Sequence, residues 1–148
     1  MNLEFGIGDV GSGFSRTVVL ARAALEALVA HAREESPNEC CGVLLGTASS
    51  IAEAARTRNI SDRPRSRFLV DPKDHLDLLR GARARGLEVL GFYHSHPHSP
   101  AWPSETDVAE AAYPEAVHLI VSLAGGVAAA NLFRIEASAA VAVPLDVC

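Results

Sequence analysis

The run Tyr93-His94-Ser95-His96-Pro97-His98-Ser99-Pro100-Ala101-Trp102-Pro103-Ser104-Glu105-Thr106-Asp107 packs three histidines, three prolines and an aspartate into fifteen residues. Glu88 to Tyr93 reads as a strand leading into it, and His94 to Pro103 reads as a loop, since its prolines deny it any helical or strand period. If the strand stays extended through His96, its period of two puts His94 and His96 on one face, where both imidazoles reach one ion. The turn over Pro97, Pro100 and Pro103 then brings Asp107 back as a third ligand from the first turn of a helix expected to start at Ser104. Two neutral imidazoles and a carboxylate with an open fourth position match catalytic zinc, whereas structural zinc closes its shell with thiolates. His-x-His alone is often only a feature of an exposed loop. The added serine and aspartate at fixed spacing carry the metal reading.

Two of these residues admit a second role. Ser104-Glu105-Thr106-Asp107 is also a variant capping box, in which Ser104 caps the helix and Asp107 favours its positive end. A hydrolytic metal site further needs a general base. Glu39 is the candidate, in Pro37-Asn38-Glu39-Cys40-Cys41-Gly42-Val43-Leu44-Leu45-Gly46, where its apolar neighbours leave a carboxylate little structural purpose. The competing reading pairs Glu39 with an arginine.

With these residues in hand, the chain resembles the JAMM (MPN-plus) zinc metalloproteases. Their motif, a distant glutamate, His-x-His, seven residues, Ser, two residues and Asp, is matched without a gap by Glu39, His94-Ser95-His96, Ser104 and Asp107. The likeness to the small bacterial and archaeal members runs roughly from Thr17 to Pro144. It implies one zinc per chain on His94, His96 and Asp107, with Glu39 as general base and then proton donor, and Ser104 as oxyanion donor. It implies hydrolysis of a peptide or isopeptide bond after the C-terminal Gly-Gly of a ubiquitin-like or ThiS/MoaD-like sulfur-carrier protein. The alternative is a binding or scaffold module that uses its groove only to hold a ubiquitin-like partner. The H-x-E and P-C-x-x-C elements of the zinc deaminases, whose fold is similar, are absent, which argues against that reading.

Outward from the motif, Ala24/Leu25, Leu28/Val29 and Ala32 line one face of a helix over Ala21–Glu35. Cys41 to Leu45 suits a buried strand, Ile51 to Arg58 and Arg67 to Val70 suit two more around the polar turn Ser61–Ser66, and Asp71-Pro72 opens a second helix that runs to Gly86. Val117–Ser122, Ala128–Ile135 and Ala139–Val143 read as three consecutive strands, the first two joined at Gly125-Gly126. The expected fold is one α/β domain with a mixed, mainly antiparallel sheet flanked by three helices. Its topology follows from the JAMM and cytidine-deaminase-like resemblance. Residues 1–15 are expected to form a flexible arm before a domain over 16–148. The match to G-x-G-x-x-G at Gly6, Gly8 and Gly11 is not followed by a helix and implies no nucleotide site.

Carboxylates outnumber Lys and Arg by 18 to 13, which leaves no basic field for nucleic acid. No segment is long and apolar enough for a membrane span. An odd count of three cysteines suggests no disulfide framework, and the expected location is cytoplasmic. Cys41 is read as a core residue and Cys40 as lying near the site, neither of them a nucleophile. His98 is expected in solvent, Trp102 is expected to pin the loop by packing, and His31, His75 and His118 are read as ordinary surface or core histidines. The arginines 56, 58, 63, 65 and 67 are read as a solvated face.

Overall fold

The computed structural model describes residues 16–148; the expected N-terminal arm, with its glycine motif, lies outside them. The strand before the histidine motif, β4 (Glu88–His96), is central to the molecule. Its antiparallel neighbour on one side is β2 (Cys41–Thr47), and its parallel neighbour on the other is β5 (Val117–Ser122). Around them stand β1 (Val18–Leu20), β3 (Ser50–Thr57), β6 (Ala129–Glu136), β7 (Ala139–Val143) and β8 (Leu145–Val147). The eight-stranded sheet has the order β7-β6-β5-β4-β2-β3-β1-β8. Four of its seven pairings are antiparallel, as expected.

Alternation along β4 decides what each face carries. Tyr93 points into the larger core with Leu44, Leu119 and Leu132, under the helix α1 (Arg22–Glu35). The stripe Ala24, Leu25, Leu28, Val29 and Ala32 is buried there, and each of its leucines and its valine contributes roughly 1.5–3 kcal/mol. On the opposite face Phe92 packs with Val43, Leu45 and Ala82 beneath the second helix, α2 (Pro72–Ala84). Asp71 caps α2 by accepting from the Lys73 amide at 3.0 Å, and Pro72 occupies the first turn. The short α3 (Glu105–Glu110) follows the histidine loop. Gly91 has no room for a side chain, because a Cβ there would run into the Val117 carbonyl of β5. Gly126, at φ 79°, makes the turn between β5 and β6.

The structure corrects the sequence reading in three places. Arg67–Val70 is not a strand; only a single bridge, Asn59 to Val70, forms, because the Asn59 side chain takes backbone groups that a ladder would have paired. The loop begins after His96 rather than at His94, so the extended condition for sharing a face is met. The terminal strands β1 and β8, which pair in parallel with each other, were not foreseen.

Candidate metal centre

His94 and His96 leave the site face of β4 together, both buried. Their Nε2 atoms lie 3.1 Å apart, and each lies 3.1 Å from Asp107 Oδ2. Three donor atoms thus form a near-equilateral triangle. Ligand atoms around a tetrahedral ion with bonds of about 2.0–2.1 Å stand about 3.3 Å apart, so the triangle fits one such ion. Among the described residues this is the group of side chains that could hold a metal.

Proton placement supports the fit. His96 Nδ1 donates to the Pro100 carbonyl at 2.8 Å, so a neutral His96 must turn a bare Nε2 lone pair to the triangle. That lone pair and the Asp107 carboxylate are turned to the same point, an arrangement that a bound cation satisfies. The same three groups shift one another's proton affinities. Burial works against the Asp107 carboxylate, but contacts from His94 and His96 and from the Ser104 amide hold it well below its usual range. Burial lowers His96, and this is outweighed by Asp107 and the Pro100 carbonyl, so its value rises. His94, buried most deeply, is lowered by desolvation.

The Pro100 acceptor is itself held from both sides. Ser122 Oγ donates to the Ser99 carbonyl at 2.6 Å, and Asn131 Nδ2 donates to the Ala101 carbonyl at 3.1 Å. Asp107 is held by a complete capping box: its amide donates to Ser104 Oγ at 3.0 Å, and the Ser104 amide donates to its Oδ2 at 2.9 Å. The capping reading of this segment is met, and it leaves Asp107 Oδ2 at the triangle. As an acceptor in the cap, Ser104 Oγ keeps its own proton free to donate.

Glu39 is buried just before β2. Its Oε1 has no hydrogen-bond partner, and no cation among the described residues pairs with it, so the arginine reading falls. Burial pushes its carboxyl up to about 7, with His96 lowering it and Asp107 raising it, which ties it electrostatically to the triangle. Register corrects the cysteines. Cys41 opposes His94 and shares its face, with Sγ 3.3 Å from Thr57 Oγ1, whereas Cys40 turns into the opposite core. Desolvation pushes their thiols up to about 12 for Cys40 and about 11 for Cys41, so neither is a nucleophile.

His98 is exposed, as expected. Trp102 leans on Phe133 with ring centroids 4.8 Å apart, yet remains 57% exposed. Arg56 pairs with Glu34, Arg58 with Asp71 and Asp74, and Arg67 with Glu110, a solvated charged face. Sequence reasoning missed Phe68, stacked on His94 at 4.1 Å. It also missed His118, which lines a cavity of about 270 Å³ with His94, Asp107, Phe92 and Tyr113. The polar Asn131 inside the apolar run of β6 was the one available signal for the loop clamp.

An α/β domain that converges two imidazoles and a carboxylate at a strand end, with no thiolate among them, has the donor set of a catalytic metal centre. The chain belongs to the prokaryotic homologs of the JAB domain, whose family model matches residues 21–136. It is 37% identical over 114 residues to a desampylase of Haloferax volcanii, covering 73% of this chain and 82% of that one. It is 36% identical over 107 residues to the CysO-cysteine peptidase of Mycobacterium tuberculosis, covering 71% and 73%. Among solved structures, protein DSY2949 from Desulfitobacterium hafniense superposes with a TM-score of 0.81 at 30% identity, covering 89% of this chain and 93% of that one. The expected JAMM-type hydrolase and its fold are thereby borne out.

Proposed function

We propose that this protein is a zinc-dependent peptidase that cleaves the bond after the C-terminal Gly-Gly of a ubiquitin-like or ThiS/MoaD-like sulfur-carrier protein. The observation that carries the reading is the triangle of His94, His96 and Asp107 donor atoms, with the His96 lone pair directed into it by the Pro100 carbonyl. The names of the desampylase and the CysO-cysteine peptidase support the substrate class. These three residues would hold the ion, which when bound supplies Lewis acidity and makes a hydroxide-like nucleophile accessible near neutral pH.

The protein's own groups do the rest. Glu39, desolvated and unpaired, is the base that takes a proton from the attacking water and delivers it to the leaving amine. A carboxyl near neutrality can do both. The Ser104 hydroxyl donates to the carbonyl oxygen as negative charge develops there. His94 and His96, fixed by Phe68 and Pro100, keep the metal donors in register without reorganisation.

A ThiS-like carrier ending in Gly-Gly plus a C-terminal extension is the test substrate. Trimming back to Gly-Gly, abolished by a chelator and restored by zinc, is the expected result. One zinc per chain in the wild type should fall to none in Asp107→Ala. Zinc binding without cleavage of several such carriers would replace this reading with the scaffold module.

A further inference from the structure

Glu39 stands two residues before Cys41, where the β2 ladder begins. Its backbone groups therefore find no strand partner. The loop after β3 supplies both: the Glu39 amide donates to the Pro64 carbonyl at 2.7 Å, and the Glu39 carbonyl accepts from Asn59 Nδ2 at 2.9 Å. Its Oε1 makes no hydrogen bond, and among the described residues Glu39 is held by hydrogen bonds of its backbone.

Asn59 is the knot of that loop. Its Nδ2 also donates to the Arg67 carbonyl at 3.0 Å, and its Oδ1 accepts from the Ser61 and Leu69 amides, each at 3.0 Å. All four hydrogen-bonding positions of the amide are used, and flipping it would set oxygen against two carbonyls and NH2 against two amides. Phe68, inside the same loop, stacks on His94. One side chain thus joins the backbone of the base to the segment that walls a metal donor.

We propose that Asn59 is a positioning residue that locks Glu39 to the 59–69 loop, so that base and metal donors hold one geometry. This rests on the reading of Glu39 as general base. Asn59→Asp is the informative substitution: it keeps the acceptor for Ser61 and Leu69 and sets an oxygen against the Glu39 and Arg67 carbonyls. Asn59→Ala, which removes all four bonds, is the second variant.

In both, kcat on the Gly-Gly-extended carrier should fall about 10–100-fold, the usual cost of losing a group that orients an active residue. KM should stay within about twofold and zinc at one per chain. Amide hydrogen exchange at Glu39 should quicken at least about tenfold in Asn59→Asp, read on metal-free protein without substrate. A folded, zinc-loaded Asn59→Asp with unchanged kcat, a loss confined to KM or to zinc content, unchanged exchange at Glu39, or failure of both variants to fold would overturn the inference. Wild-type turnover in Glu39→Gln would instead remove the base assignment, while exchange at Glu39 still reported on the clamp.

Discussion

Glu39 is a carboxylate placed where a carboxylate is costly. Burial, the larger cause, and Asp107 raise its pKa against the opposing effect of His96, to about 7 from an ordinary 4.5. A folded-state value above the unfolded one means that the native protein binds this proton more tightly. The group therefore stabilises fully below about pH 4.5, and that contribution is lost as pH rises from there through about 7. Glu39→Gln, which mimics the protonated form at every pH, should melt a few degrees higher than wild type above pH 7 in metal-free protein. The difference should vanish toward pH 4.5, and the same variant should keep zinc and lose turnover. Thermal melts across that range check the first expectation, and zinc analysis with carrier cleavage checks the second. The candidate site was legible at Glu39, His94, His96 and Asp107, because metal-ligand and acid–base chemistry calls for residue types at set spacings. It was illegible at Asn59, whose type suits any turn, and at Phe68, whose type suits any apolar contact, because their roles exist only once β2 and β4 bring Glu39 and His94 beside the loop.

Among the elements, α3 shows how local structure and chemistry share atoms. Its six residues are too few to persist by propensity, so the capping box holds both the helix and the orientation of Asp107. Ser104→Ala should cost about 1 kcal/mol in stability through the lost cap. It should also lower turnover about 100–1,000-fold through the lost oxyanion donor, with one zinc retained. Ser104→Gly separates the two effects, since glycine caps nearly as well as serine and carries no hydroxyl. Equal loss of turnover in both variants, with stability largely restored in glycine, is the expected pattern. Recovery of turnover with stability would leave Ser104 as a cap alone. Periodicity made α1 and the hairpin of β5 and β6 readable, because each buries a continuous face of its own, whereas α2, which fully buries only Ala82, was marked by its Asp71-Pro72 start. The strands β1 and β8 carry no such signal: three residues each, they exist only through long-range pairing such as Val18 with Leu145.

For the whole molecule, the sheet order makes the centre a joint between parts distant in sequence. β4 lies between β2, which follows Glu39, and β5, whose Ser122 helps steady the Pro100 loop. Asp107 reaches back from α3, so an ion on the triangle ties that helix and loop to the middle of the sheet. A ligand that binds only the folded state adds RT ln(1 + [L]/Kd), about 4 kcal/mol when the free metal stands a thousandfold above Kd. At roughly 2–4 °C per kcal/mol for a chain of this size, zinc should raise the melting temperature by on the order of 10 °C. Chelation should lower the wild-type transition by that amount, and added zinc should restore it. Asp107→Ala should melt at one temperature with zinc or chelator, having lost the third donor, whereas Glu39→Gln should keep the full response because its carboxyl is not part of the triangle. A zinc shift that survives Asp107→Ala would locate the ion elsewhere; one lost in Glu39→Gln would make Glu39 a ligand rather than the base.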